Sequence, residues 1–286
     1  MIVAWLRIEV QCDPAEPGRD IATAWLAEAG CSMFEHEGEA LHAFVQEAEF
    51  DRAEGEQIQT RMRALGLITW RISEVEEENW NARWESDYPE VEVGRAVRVS
   101  APFHHRIGPD GFAHQITIQP RMAFGTGHHE TTRGLLATMA DMEWDGLAVQ
   151  DMGCGSGVLG IYAAMRGATD VLLVDIDPWS VRNTRENLGL NGLGEGEAIE
   201  VREGGAQVLT DRDAGRFDVV IANINRNILL EDMAAYVATM KDSATLMLSG
   251  FMAPDVEPLV DAGRALGMKH SGLMQEGEWR VLSLRK

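Results

Sequence analysis

The chain has 286 residues, of which 45% are hydrophobic and 25% charged, a composition typical of a globular protein with a large core. No apolar run approaches the roughly 18 residues that a membrane-spanning helix needs, and residues 1–10 lack the basic start of a signal peptide. The net charge is −21, and residues 1–90 contribute 20 acidic residues against 7 arginines. Such a charge repels nucleic acid and attracts basic partners, so we expect no direct nucleic-acid binding.

The cysteine pattern excludes two common frameworks. Cys12, Cys31 and Cys154 are odd in number and form no CxxC pair. Disulfide scaffolds use even sets of cysteines, and zinc ribbons use closely spaced pairs. We therefore expect a cytoplasmic protein in a reducing compartment. We expect neither membrane association nor a metal site.

Residues 1–75 follow the order β-α-β-β-α-β, which is that of the α+β ferredoxin-like fold. Alternation and helical spacing predict strands at 5–10, 32–36, 41–46 and 67–75, and helices at 20–29 and 51–65. This region has no acid–base constellation and no glycine loop. We interpret it as a substrate-recognition domain.

Residues 76–94 form a predicted acidic linker. Trp80 and Trp84 lie four residues apart, so they would share one face of a helix. We expect a short linker helix that docks both rings on a domain; ligand binding by the two rings is the alternative.

From residue 95 onward, strands alternate with helices, as in a doubly wound parallel sheet. Strands are predicted at 148–151, 171–175, 199–201, 217–222 and 244–249, and helices at 158–166, 178–188, 228–240 and 255–266. The chain then ends in a predicted hairpin, 269–275 and 279–284, which adds one antiparallel strand. This pattern is typical of class I (Rossmann-like) methyltransferases rather than dehydrogenases. We therefore expect an α/β methyltransferase domain over 95–286.

A glycine-rich turn, Asp-Met-Gly-Cys-Gly-Ser-Gly at 151–157, joins a predicted strand to a predicted helix. Gly153, Gly155 and Gly157 let the backbone approach a ligand that a Cβ would push away. Their spacing is G-x-G-x-G, whereas dinucleotide sites have G-x-G-x-x-G/A. Asp151 would repel a pyrophosphate and suits the ammonium of an amino acid. The turn therefore favours S-adenosylmethionine over NAD.

The next predicted strand ends in a second acid. Asp175 lies 22 residues after Gly153, where the second strand of such folds presents a carboxylate to the ribose hydroxyls. Helix capping is the alternative role, and it suits Asp177, which precedes a proline, better. Residues 203–206 follow the third strand and offer only backbone for an adenine contact.

The fourth strand leads to Asn223, whose amide oxygen can orient a nucleophilic amine. Enzymes that methylate amide or adenine nitrogens often carry Asn-Pro-Pro-aromatic here, but this chain continues Ile224-Asn225-Arg226. The missing prolines and ring favour an aliphatic amine over a planar substrate.

A second glycine-rich loop precedes a helix that begins near His129. Gly125, Thr126 and Gly127 supply backbone donors, and Phe124 suits a position that covers something flat. His129 has three interpretations: a metal ligand, a solvated residue at the helix start, or a base or orienting group near an amine. The segment lacks HExxH, which disfavours the first.

Four segments resemble the PrmA family closely: 122–132 (Met-Ala-Phe-Gly-Thr-Gly-His-His-Glu-Thr-Thr), 151–159, 175–178 (Asp-Ile-Asp-Pro) and 222–224 (Ala-Asn-Ile). Members of that family methylate the large-subunit ribosomal protein numbered eleven. The resemblance covers essentially the whole chain. It implies cofactor binding by Thr132, Gly153, Asp175 and Asn223, and a mobile loop beside the methyl group with Phe124, His129 and Thr131.

Together, the residues and the resemblance predict an S-adenosylmethionine-dependent protein N-methyltransferase. It would act on lysine ε-amines or the N-terminal α-amine of a basic large-subunit ribosomal protein, and we expect a monomer. The predicted catalytic residues are His129, Thr131 and Asn223. The predicted cofactor-binding residues are Phe124, Gly125, Thr126, Gly127, Thr132, Asp151, Gly153, Gly155, Gly157, Asp175 and Asn223. The alternatives are methylation of RNA or of a small amine, and a cofactor-binding interaction module without catalysis.

Overall fold

The computed structural model describes residues 5–75, 88–104, 111–121 and 124–286. The chain forms two compact units, Met1–Glu85 and Ser86–Lys286. The predicted linker helix with Trp80 and Trp84 lies outside the described residues. Within the described ranges, no helix is both long and apolar enough to cross a membrane.

The first unit is a four-stranded antiparallel sheet with two helices. Its elements are β1 (Trp5–Cys12), α1 (Ala15–Glu28), β2 (Met33–Glu37), β3 (Ala40–Gln46), α2 (Arg52–Arg63) and β4 (Leu67–Glu74). The strand order β2-β3-β1-β4 is the ferredoxin-like arrangement that the element order predicted. Leu6, Ile8 and Val10 alternate into its core because successive strand residues point to opposite faces.

The second unit begins with a small sheet that the sequence analysis missed. It contains β5 (Val91–Val93), β6 (Val97–Ser100) and β7 (His114–Thr117). β6 pairs antiparallel with β5 and parallel with β7. Strands of three or four residues are too short to show a period in the sequence. Their buried side chains, including Val99 and Ile116, join the core of the larger sheet that follows.

That larger sheet has seven strands and is flanked by helices. The elements are α3 (Glu130–Ala140), β8 (Ala148–Met152), α4 (Val158–Met165), β9 (Asp170–Asp175), α5 (Pro178–Leu190), β10 (Ile199–Glu203), β11 (Phe217–Asn223), α6 (Arg226–Thr239), β12 (Met240–Met252), α7 (Val256–Ala265), β13 (Lys269–Glu276) and β14 (Trp279–Arg285). The order is β10-β9-β8-β11-β12-β14-β13. All neighbours pair in parallel except β14, which is antiparallel to both β12 and β13. The predicted parallel sheet with a terminal hairpin is confirmed.

Both faces of this sheet are covered. Val149 and Leu173 belong to one apolar layer, whereas Ala148 and Leu172, their chain neighbours, belong to the other. Burial on both faces explains why these strands read as continuous apolar runs. The chain moves outward from β8 first through β9 and then through β11, so the strand order reverses at β8. A crevice outside the carboxyl ends of the strands at such a reversal is where open α/β sheets bind ligands.

Candidate active site

A cavity of about 710 Å³ lies at this edge of the sheet, within the size range of cofactor and substrate pockets. Its walls include several residues that the sequence predicted: Phe124, His129, Thr131, Gly153, Gly155, Asp175 and Asn223. Other predicted residues do not line it: Gly125, Thr126, Gly127, Thr132, Asp151 and Gly157. The cavity therefore unites the glycine turn, the ends of β9 and β11, and the start of α3.

The glycine turn has no room for side chains at two of its positions, because other parts of the chain approach its backbone closely. Gly153 and Gly155 have positive φ angles of 67° and 57°. A Cβ on Gly153 would overlap the side chain of Ile224, and one on Gly155 would overlap the carbonyl oxygen of Phe124. These two positions need glycine for close approach as well as for backbone conformation.

The loop that precedes α3 lies directly on this turn. The Ser156 N–H donates to the carbonyl of Phe124 (2.8 Å), and the Ser156 hydroxyl donates to the carbonyl of Gly125 (2.6 Å). Two backbone-directed hydrogen bonds thus hold Phe124 at the cavity.

The rest of that loop faces away from the cavity. The Thr126 hydroxyl lies 3.1 Å from His128 Nδ1, and His128 Nε2 lies 2.8 Å from the carbonyl oxygen of Pro89. Gly127 packs against Val91 and Val99 of the small sheet. Thr126 and Gly127 therefore anchor the loop and do not line the cavity, and their contact with the cofactor stays a prediction.

Asp151 lies beneath the turn rather than in the cavity wall. Its Oδ2 accepts a hydrogen bond from the N–H of Gly160 in α4 (3.0 Å), and its Oδ1 has no partner among the described residues. The side chain is fully buried, and this burial raises the pKa of Asp151 to about 7. A direct contact between Asp151 and the cofactor ammonium, as predicted, does not follow from this position. Gly157, which also does not line the cavity, packs against the side chain of Thr184.

Asp175 both lines the cavity and braces it. Its Oδ2 accepts from the N–H of Gly155 (2.8 Å), and its Oδ1 accepts from the N–H of Asp177 (2.9 Å). Each carboxylate oxygen accepts about two hydrogen bonds, so both can still accept from vicinal ribose hydroxyls. Asp177 accepts from the N–H groups of Trp179 and Ser180, so its predicted role as the N-cap of α5 is confirmed.

Asn223 lines the cavity and has one unsatisfied acceptor. Its Nδ2 donates to Thr132 Oγ1 (3.3 Å), which fixes the amide plane. Its Oδ1 is buried and accepts no hydrogen bond from the part of the chain that the structure describes. Buried amide oxygens are rarely unpaired in proteins, so this atom fits a ligand that carries an N–H donor. Thr132 therefore acts on the cavity through Asn223.

His129 forms part of an aromatic wall. Its ring centroid lies 5.2 Å from that of Phe124 and 4.8 Å from that of Trp279. His129 is also the N-cap of α3, because Nδ1 accepts from the N–H of Thr131 (3.3 Å) and lies 2.8 Å from the Thr131 hydroxyl. With Nδ1 as an acceptor, the neutral ring carries its proton on Nε2. Nδ1 of His129 is therefore engaged in the cap of α3.

Several residues that line the cavity were not predicted from the sequence. The missed residues include Ile176, Gln207, Ile228, Asp232, Tyr236 and Trp279. Ile176 directly follows Asp175 and is 74% exposed, an unusual place for a large apolar side chain. The side chains from α6 and from the hairpin carry no local signal, because only the tertiary fold brings them here. Within the described ranges, no group of three or more His, Cys, Asp or Glu side chains could hold a metal ion.

The strand order, the terminal antiparallel strand and the cavity at the carboxyl ends define a class I methyltransferase fold. The sequence model of the family described as "Ribosomal protein L11 methyltransferase (PrmA)" matches residues 5–286. The chain belongs to this family of methyltransferases, which confirms the resemblance and the cofactor, S-adenosylmethionine. The close approach of backbone at the glycine turn fits a cofactor with an amino-acid end.

Individual relatives agree with this assignment. A Ribosomal protein L11 methyltransferase from Porphyromonas gingivalis is 39% identical over 93% of this chain and 90% of its own. One from Bacteroides fragilis is 36% identical over 93% of this chain and 94% of its own. The crystal structure of the ribosomal protein L11 methylase from Lactobacillus delbrueckii subsp. bulgaricus is 26% identical, with a TM-score of 0.63 over 70% of this chain and all of that one.

The position of Asp175 predicts a binding defect. Asp175→Ala removes the acceptors for the ribose, so S-adenosylmethionine binding should weaken by about 1.5–3 kcal/mol in calorimetry. The matched control is Asp177→Ala, which removes the cap of α5 and should leave cofactor affinity unchanged. Unchanged affinity in Asp175→Ala would exclude this carboxylate from the cofactor site.

The buried carboxyl of Asp151 predicts a pH dependence of stability. The folded-state pKa is about 7, above that of an unfolded carboxyl, so the folded chain keeps this proton after the unfolded chain has released it. Stability should therefore fall as the pH rises through this interval. Relative to Asp151→Asn, the parent should lose on the order of 2–3 kcal/mol of unfolding free energy between pH 5 and 7.5. Urea unfolding at several pH values checks this, and parallel curves for the two proteins would contradict it.

Proposed function

We propose that this protein transfers methyl groups to amines of ribosomal protein L11: lysine ε-amines, the N-terminal α-amine, or both. The names of its relatives support L11 as the substrate. The observation that carries the amine at this site is the buried, unpaired Oδ1 of Asn223. An amine nitrogen donates to such an oxygen while its lone pair stays free.

The proposed roles follow from the positions in the cavity. S-adenosylmethionine, when bound, supplies a methyl group on a sulfonium that an amine nitrogen can accept. The backbone at Gly153 and Gly155 would hold its amino-acid end, and Asp175 its ribose. Asn223, whose amide plane is fixed by Thr132, would orient the accepting nitrogen.

The accepting amine must be neutral, and the cavity favours that form without a strong base. Phe124, His129 and Trp279 form a ring-lined wall that would displace water from a bound amine. Desolvation disfavours a charged ammonium and lowers the amine pKa. Because Nδ1 of His129 caps α3, we propose that His129 and Thr131 shape the wall and that the amine releases its proton to water. Positioning then supplies most of the rate.

The domain roles are part of the same proposal. Residues 1–75 would recognise the substrate, and the second unit, Ser86–Lys286, would carry out the transfer. The predicted linker over 76–94 is shorter than expected, because Val91–Val93 forms β5 of the second unit. The excess of acidic residues in the first third of the chain would steer a basic ribosomal protein toward the enzyme. Because the proposed substrate is a ribosomal protein, we also propose a cytoplasmic location. We further propose that the enzyme acts as a monomer.

The function is tested by incubating the full chain with L11 and isotopically labelled S-adenosylmethionine, followed by mass mapping of L11. We expect label on amines only, and L11 with an acetylated N-terminus separates the α-amine from the lysines. Label on ribosomal RNA instead of L11 would overturn the proposal.

A chain that starts at Ser86 serves as the control for the domain roles. It should keep cofactor affinity and lose transfer to L11, because the recognition domain is missing. Transfer at the parental rate by this shorter chain would show that residues 1–75 do not recognise L11.

Variants of the cavity separate positioning from base catalysis. Asn223→Ala should lower the single-turnover rate about 100-fold at every pH, because the orientation of the amine is lost in any protonation state. Thr132→Val should show a smaller loss, since the amide stays but loses its partner. His129→Gln should lower the rate and keep the shape of the pH profile. Loss of an acidic limb near pH 6–7 in His129→Gln would instead identify this histidine as the base.

A further inference from the structure

One end of the cavity lies beside the carboxylate that is expected to hold the ribose. The Gly204 N–H donates to the backbone carbonyl of Asp175 (2.8 Å), so the segment after β10 is fixed next to this acid. Gly204, Gly205 and Gln207 line the cavity there. A purine attached to that ribose would meet mostly backbone from this segment, which offers no fixed carboxylate.

Helix α6 contributes a carboxylate to the lining of the same cavity. Asp232 and Tyr236 line the same cavity as Gly204 and Gln207. The short turn at 206–208, which follows β10, packs against α6, and its Ala206 adjoins the apolar cluster that contains Tyr236. The two side chains of α6 therefore lie beside the segment that follows β10.

The Asp232 carboxylate is held in one orientation. The Tyr236 hydroxyl donates to Asp232 Oδ2 (3.2 Å), and the Tyr236 ring is 1% exposed. Burial, with Asp232 next to the hydroxyl, raises the pKa of Tyr236 far above its usual value, so the hydroxyl remains a donor. Asp232 is half-buried, and its Oδ1 accepts no hydrogen bond from any residue that the structure describes. Asp232 thus lines the cavity with one carboxylate oxygen held by Tyr236 and the other free of described donors.

We propose that Asp232, positioned by Tyr236, accepts a hydrogen bond from the 6-amino group of the adenine in the cofactor and thereby rejects 6-oxo purines. This inference rests on the cofactor role of the cavity and adds the residue that reads the base. A carboxylate only accepts, and a 6-oxo group also only accepts, so the two would repel each other without a proton between them.

The neighbouring polar side chains do not meet the same requirement. Gln207 is exposed, and its amide can turn to offer either a donor or an acceptor, so it would tolerate both purines. Glu231 lines the cavity but is exposed, and no tyrosine holds it. These two residues provide the matched controls.

The experiment measures the affinities of S-adenosylhomocysteine and S-inosylhomocysteine, its 6-oxo analogue, by calorimetry on the full chain. The parent should prefer the adenosyl form about 10- to 100-fold, the range for losing a hydrogen bond to a charged group. Asp232→Asn should abolish or reverse this preference, because the carboxamide can donate to a 6-oxo group. Glu231→Gln and Gln207→Ala should keep it.

Tyr236→Phe tests the positioning role. It keeps the ring in the core and removes only the hydroxyl, so the preference should shrink without reversing while the thermal unfolding midpoint stays close to that of the parent. A parent-like preference in Asp232→Asn, or equal binding of both nucleosides by the parent, would overturn the proposal. Absence of transfer to L11 with the preference intact would contradict the proposed function and leave this inference standing.

Discussion

The geometry of the site depends on the hydrogen bonds of one acidic residue. The carboxylate of Asp175 accepts from Gly155 at the end of β8 and from Asp177 at the start of α5, and its backbone carbonyl accepts from Gly204 after β10. Three neighbouring strand ends are thereby tied to one another. The N–H groups of these three turns have no hydrogen-bond partner within their own segments. The two carboxylate oxygens and the backbone carbonyl of Asp175 supply those partners.

The two acids of the site have opposite environments, and this difference sets their roles. Asp175 is satisfied by two backbone N–H groups and reaches the cavity. Asp151 is fully buried, has one oxygen without a partner among the described residues, and has a raised pKa. A buried carboxyl near neutrality is a cost to folding at high pH, and its hydrogen bond to Gly160 ties the start of α4 to β8. The acid at the end of β9 thus lines the cavity, whereas the acid at the end of β8 lies beneath the turn and holds the start of α4.

The aromatic wall depends on contacts between distant parts of the second unit. Arg133 in α3 donates to the carbonyl of His128 and lies 3.3 Å from Glu276 in β13. These contacts join the start of α3 to the terminal hairpin, which places Trp279 against His129. The antiparallel hairpin therefore does more than close the sheet, because its Trp279 completes the aromatic wall.

What the sequence determined is the part of the structure that depends on local interactions. The parallel strands, the hairpin, the spacing of Gly153 and Gly155, and the cap at Asp177 all follow from periods or hydrogen bonds that span a few residues. The tertiary structure alone decided which side chains meet: the pairing of Asn223 with Thr132 spans 91 residues, and Asp232 reaches the cavity only because α6 packs beside the segment after β10. It also decided that Asp151 turns beneath the sheet edge, away from the cavity. The physical reason is that packing between separate elements decides which way each side chain points. The local sequence does not specify the distant element against which a side chain will pack.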